Sequence, residues 1–119
     1  MSKAPPDDNT VIDLELGAAL TGNRDELAKD MLILLAKTLP DELNGIRQAK
    51  ENHRLPELLK VIHKLHGAVC YCGVPRLKNA LTSFESALKQ QKTDDIDKHF
   101  AELELAATQV LKAAAQLEK

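Results

Sequence analysis

A four-three-four spacing of apolar residues recurs in one segment of this chain after another. Leu58, Ile62, Leu65 and Val69 follow it, as do Leu77, Leu81, Phe84 and Leu88, and Ile96, Phe100, Leu103, Ala107, Val110, Ala114 and Leu117 keep heptad spacing. An average step of 3.5 residues puts these side chains on one stripe of an α-helix, and each stripe needs a partner to cover it. No segment alternates apolar and polar residues convincingly, as a half-buried strand would. Stripes on helices joined by short turns are buried by antiparallel packing. The pattern therefore predicts an all-α protein, an antiparallel four-helix bundle with an additional short N-terminal helix.

Turn residues place the elements. A short helix is expected over 13–20, stopped by Thr21-Gly22-Asn23, and the next over 24–38 with Leu27, Met31, Leu34 and Thr38 on its inner stripe. Pro40 marks a break and sits in the first turn of a third helix reaching about Lys50, with Leu43 and Ile46 inward. After a polar connection over 51–54, Pro56 opens a helix that yields near Cys72-Gly73, glycine being the usual residue just past a helix end. A helix over 74–90 follows. Thr93 reads as the N-cap of the last helix, with Asp94, Asp95 and Asp97 near its positive dipole end. The polar stretch 1–10, with two prolines, reads as a flexible leader or linker, leaving 11–119 as the bundle domain.

Composition narrows the function. A chain of 119 residues fits one domain, and 44% hydrophobic residues support a core. No apolar run approaches the ~20 residues of a membrane span, and no signal-peptide pattern opens the chain. Net charge is −2, unevenly spread: between Ile46 and Lys92 there are nine Lys/Arg against three acids, and elsewhere seven against fifteen. A weakly basic middle between acidic ends is a poor footprint for nucleic acid, but it suits docking to a phosphate or an acidic cleft.

The unusual stretch is VIHKLHGAVCYCG over 61–73. At about 100° per residue, His63 points roughly 130° away from the mean direction of Leu58, Ile62, Leu65 and Val69. Its imidazole is expected to face solvent although its sequence neighbours are apolar. Gly67 lies one turn further along the same outward face. A helical glycine costs roughly 0.5–1 kcal/mol relative to alanine, and close access of a partner to the His63 ring would account for that cost. His53, in a polar loop, and His99, in an acidic helix, read as ordinary surface histidines.

His63-Lys64-Leu65-His66-Gly67, followed by Gly73, Leu77 and Glu85, resembles the signature of histidine-containing phosphotransfer (Hpt) domains. That signature runs His-x-Leu-Lys-Gly, then Gly after five residues, then Leu and an amide or acid on the next helix. The string HKLHG…YCGVPRLKN resembles the C-terminal Hpt domain of hybrid sensor kinases of the BarA type. The resemblance covers most of the chain. It implies that His63 accepts a phosphoryl group from a receiver-domain aspartate and passes it to the receiver aspartate of a response regulator. It also implies that the Mg²⁺ belongs to the receiver, with no cofactor or kinase activity on this chain. Glu85, at the amide-or-acid position, would accept a hydrogen bond from the second ring nitrogen of His63, or is a plain surface glutamate.

The chain departs from the signature at His66, where lysine is common. A histidine there is a weaker base than lysine and does not offer lysine's permanent charge. Contact with the phosphoryl group and plain packing are both open for His66. Lys60 and Lys64 flank His63 and either supply charge to the phosphoryl group or are solvated helix surface. Leu59, Gly67 and Cys70 share the His63 side and are expected to meet the receiver, Leu59 being equally placed as a core-boundary residue.

Cys70 and Cys72 are two apart, a spacing that favours neither an internal disulfide nor a CxxC motif, so both read as reduced core or boundary residues. A different reading takes His63, His66 and Cys70, within an arc of roughly 60°, as metal ligands, but a structural zinc usually needs a fourth ligand. A third takes the chain as a non-catalytic helical adaptor. The favoured expectation is a monomeric, cytoplasmic phosphorelay intermediate excised from a sensor anchored in the inner membrane.

Overall fold

The computed structural model describes residues 10–117, so the expected leader falls, except for Thr10, outside the described residues. The chain forms α1 (Leu14–Leu20), α2 (Asp25–Glu51), α3 (Leu55–Val69), α4 (Pro75–Lys89) and α5 (Ile96–Leu117). Helix α2 packs on α3, α3 on α4, α4 on α5, and α5 back on α2, which closes a four-helix bundle; α1 packs on α2. Each expected stripe on α3 and α4 lies in the core: Leu58, Ile62, Leu65 and Val69 face Leu77, Leu81, Phe84 and Leu88. On α5, Phe100, Leu103, Ala107, Val110 and Ala114 are buried, with Ile96 and Leu117 at the margin.

Helix α2 corrects the expectation of a break at Pro40, because it runs unbroken through that residue. Proline inside a helix removes the hydrogen bond to the carbonyl four residues back and costs about 3 kcal/mol or more. Burying a leucine or isoleucine gains about 1.5–3 kcal/mol. One continuous helix buries Leu32, Leu35, Leu39, Leu43 and Ile46 together, so burial prevails. Pro40 itself lies on the exposed face of the helix. The 27 residues of α2, at about 1.5 Å each, account for most of the domain's 43 Å length.

Continuity also corrects the inner stripe of this segment. The buried residues are Ala28, Leu32, Leu35 and Leu39, one position on from the expected Leu27, Met31, Leu34 and Thr38. Leu27 and Leu34 are exposed, as is Thr38, and Met31 is half-buried. Residues 31–35 are apolar all round, so the phase is decided by Leu43 and Ile46 further along the same helix.

The last helix starts at Ile96, which corrects the reading of Thr93 as its N-cap. Gln91, at φ 57, first reverses the chain, and residues 94 and 95 form a turn before the helix begins. Asp97 is the acid in the first helical turn, and it accepts a hydrogen bond from Lys50 Nζ at 2.6 Å. That bond, together with its charge, holds the Asp97 carboxyl below its usual range. Arg47 pairs with Glu104 across the same α2–α5 seam, and Arg47 and Lys50 both lie over the Phe100 ring.

The α3–α4 turn is clipped to the segment leading into α1. Asp13 caps α1 by accepting from Leu16 N at 3.0 Å, while its own amide donates to Gly73 O at 2.8 Å. Arg76 N donates to Thr10 O. Gly73 sits at φ +64, and a Cβ there would collide with Asp13 O and stand 2.7 Å from Gly17 N. Both the conformation and the close backbone approach demand glycine.

Gly73→Ala is expected to destabilise the domain by about 2–4 kcal/mol, and Gly67→Ala to be neutral or stabilising by up to about 1 kcal/mol. Denaturant titration of the two variants checks the contrast.

Candidate functional site

Helix α3 carries His63 between buried Ile62 and half-buried Val61 on one side and buried Leu65 on the other, so its ring is turned outward. The side chain is 71% exposed. One turn on, Gly67 is exposed, and a Cβ built there meets nothing within 4 Å. The surface beside the ring is therefore low.

The ring is nevertheless held. His63 Nδ1 lies 2.5 Å from Glu85 Oε2 on α4. Glu85 is 5% exposed and is the buried charged residue among those described, so it is not a surface glutamate. A carboxylate in that position is costly unless its oxygens are paired. Its Oε1 lies 3.0 Å from His66 Nδ1, and its Oε2 also faces Lys89 Nζ at 3.2 Å. Burial pushes the Glu85 carboxyl up, but hydrogen bonds from His63 and Lys89, with the charges of Lys89 and His63, outweigh it and hold the group below its usual range.

His66 is less exposed than His63, its side chain being 23% accessible. Its second nitrogen, Nε2, is 3.0 Å from Thr82 Oγ1, and that hydroxyl also lies 2.9 Å from Lys78 O. Both ring nitrogens of His66 are thus engaged by α4. Lys60 and Lys64 are exposed on α3 on either side of His63. Leu59 is half-buried against the core, and Cys70 is half-buried at the end of α3.

The structure thus brings three of the expected residues, His63, His66 and Glu85, into one cluster. It adds Thr82 and Lys89, which sequence reasoning missed. Both are three or four residues from Glu85, so they share its face of α4, and Glu85–Lys89 is a helical i,i+4 acid–base pair visible in the sequence.

Cys70 and Cys72 are free thiols; burial pushes the Cys72 thiol up, with Cys70 adding to the shift. The proposed metal-ligand arc is not assembled. His63 and His66 both turn Nδ1 to Glu85, and among the described residues no group of three His, Cys, Asp or Glu is placed to hold a metal ion. No helix among them is long and apolar enough to cross a membrane.

With Nδ1 committed to Glu85, Nε2 is the nitrogen the exposed ring has available. An imidazole held in this way is a nucleophile of fixed tautomer. The model of the Hpt domain matches residues 30–118 of the chain. The chain belongs to the Hpt domain family. Hpt domains of hybrid sensor kinases work in the phosphorelays of two-component signalling.

This Hpt domain is 39% identical over 103 residues to sensor protein GacS of Pseudomonas syringae pv. syringae, a match covering 82% of the chain and 11% of that relative. It is 33% identical over 96 residues to the signal transduction histidine-protein kinase BarA of Escherichia coli (strain K12), covering 80% and 10%. The chain therefore spans about a tenth of the length of these curated relatives. The crystal structure of the Hpt domain from a sensor hybrid histidine kinase of Shewanella superposes with a TM-score of 0.81 at 34% identity, covering 89% of this chain and 92% of that one.

Because the Glu85 carboxyl lies below its ordinary value of 4.5 in the folded domain, the unfolded chain takes up this proton first as pH falls. The stability from this group is full above about pH 5 and is lost as pH falls through the depressed value. Glu85→Gln is expected to cost about 1–2 kcal/mol at neutral pH and to flatten this part of the acid limb. Urea unfolding between pH 3 and 7 measures both.

Proposed function

We propose that this domain is a phosphorelay intermediate in which His63 accepts a phosphoryl group from a receiver-domain aspartate and returns it to the receiver aspartate of a response regulator. The observation that carries this reading is the exposed His63 ring with its Nδ1 anchored 2.5 Å from the buried Glu85 carboxylate. In the accepting step the Nε2 lone pair attacks phosphorus. The N–P bond forms, the P–O bond to the aspartyl carboxylate breaks, and the carboxylate leaves with the electron pair. The Nδ1 proton stays in its hydrogen bond to Glu85, so no proton has to leave the ring. Positive charge that develops on the ring is met by the same carboxylate. The donating step is the reverse, with a second aspartate as nucleophile.

The divalent ion and most of the charge stabilisation are assigned to the receiver's acidic pocket. Exposed Lys60 and Lys64 flank the ring and supply positive charge to the incoming phosphoryl group. The receiver docks over the His63 face, using Leu59, Gly67 and Cys70, with Gly67 admitting close approach. The domain acts as a monomer in the cytoplasm and has no kinase activity of its own. Its parent chain is a hybrid sensor kinase, in keeping with the relatives it matches.

A receiver domain charged with labelled acetyl phosphate is expected to label the native domain with acid-labile, alkali-stable phosphate. His63→Gln should take up no label while its melting is almost unchanged, because the ring is exposed. Labelling of His63→Gln at the native level would overturn the assignment. Replacing Gly67 by leucine should slow transfer by roughly tenfold or more with little change in stability, and an unchanged rate would remove the access argument.

A further inference from the structure

His66 stands where a cation would be expected to reach toward the phosphoryl group, yet the structure turns it inward. Its Nδ1 is 3.0 Å from Glu85 Oε1 and its Nε2 is 3.0 Å from Thr82 Oγ1. Neither nitrogen is offered to a group arriving at His63. What His66 does touch is the oxygen of Glu85 that His63 does not use.

A carboxylate has two oxygens in one plane, so a close polar contact that holds one in place fixes the aim of the other. Glu85 Oε2 has two partners on different sides, His63 Nδ1 at 2.5 Å and Lys89 Nζ at 3.2 Å. Lys89 is itself exposed over 60% of its side chain and flexible by nature, so it does not define the carboxylate plane. His66 does define it, because its ring is largely covered at the α3–α4 seam, hydrogen-bonded to Thr82 through Nε2, and held with Nδ1 3.0 Å from Glu85 Oε1. Thr82 pins the far end and is in turn tied to its own helix through Lys78 O at 2.9 Å. The hydroxyl suits both states of His66: it donates to Nε2 when that nitrogen is bare, or accepts from Nε2–H while donating to Lys78 O.

We propose that His66, held by Thr82, is a positioning residue for phosphoryl transfer, fixing the Glu85 carboxylate so that it keeps the His63 ring in the Nδ1–H form with Nε2 free to react. This rests on the reading of His63 as the phosphoryl acceptor. It gives the replacement of lysine by histidine a distinct role, in which orientation substitutes for direct charge. The chain is Thr82 to His66 to Glu85 to His63, alternating between α4 and α3, so it also couples the reactive ring to the register of the two helices.

The test pairs the rate of phosphoryl acceptance with the ¹⁵N signature of the His63 tautomer at neutral pH. In His66→Leu, which removes both nitrogens, the His63 signal should move toward the Nε2–H form and acceptance should slow by roughly tenfold. In His66→Asn, whose amide N–H mimics Nδ1–H, both should stay within about twofold of native. Thr82→Val, at an exposed position, should shift both readouts in the same direction as His66→Leu and by less. It keeps the proposal testable should His66→Leu unfold. Unchanged tautomer and rate in His66→Leu and Thr82→Val would overturn the positioning role. A slower rate with an unchanged tautomer would also overturn it, by assigning His66 directly to the phosphoryl group. His63→Gln, run alongside, separates these results from a failure of the acceptor assignment itself, which would appear as labelling without His63.

Discussion

Glu85 is a carboxylate embedded in the apolar flank of α4, next to Phe84 and close to Leu81 and Leu88, and it is tolerable there because His63, His66 and Lys89 each bring a nitrogen within 3.2 Å of its oxygens. That single requirement connects core and surface. Two of these partners, His63 and His66, come from α3, so the pairing of α3 with α4 is written in polar contacts as well as in the leucine stripes beneath them. The exposed His63 ring borrows its order from this buried anion. An exposed side chain would otherwise sample several rotamers and both tautomers, and a nucleophile defined in neither respect would present its lone pair only part of the time.

The rest of the bundle keeps α3 and α4 in register. Helix α2 spans the length of the domain and supplies a continuous apolar rail for α3 on one side and α5 on the other. At the end of the α3–α4 pair nearer Gly67, the turn at Gly73 is pressed against the backbone of Asp13 and Gly17. The segment leading into α1 is thereby fastened to the hairpin that carries the site. Two glycines six residues apart thus do opposite things. Gly73 is required by its neighbours, whereas a side chain at Gly67 would meet nothing inside the protein.

Much of this was legible in the sequence, and the exceptions have identifiable causes. The stripes of α3, α4 and α5 have one apolar face each, so periodicity sufficed to find them and to turn His63 outward. Helix α2 was misread twice for one reason. Taking Pro40 as a break separated Leu43 and Ile46 from residues 31–35, which are apolar on every side, and only their shared phase selects Leu32, Leu35 and Leu39 as the inner row. The start of α5 was misplaced because Thr93 and the following aspartates have the chemistry of a cap, while the turn at Gln91 determines where the helix can begin. Within the site, the family-like pattern pointed to His63 and Glu85. It did not reveal Thr82, Lys89 or the inward turn of His66, because these depend on the relative rotation of two helices, which no single-helix pattern contains.

The most direct test of the account is ¹⁵N–³¹P coupling in the uniformly ¹⁵N-labelled domain after it has been charged by a phosphorylated receiver. The account predicts a one-bond coupling at His63 Nε2 alone, with Nδ1 retaining its proton in the hydrogen bond to Glu85. Coupling at His63 Nδ1, or on His66 or any other histidine, would contradict it.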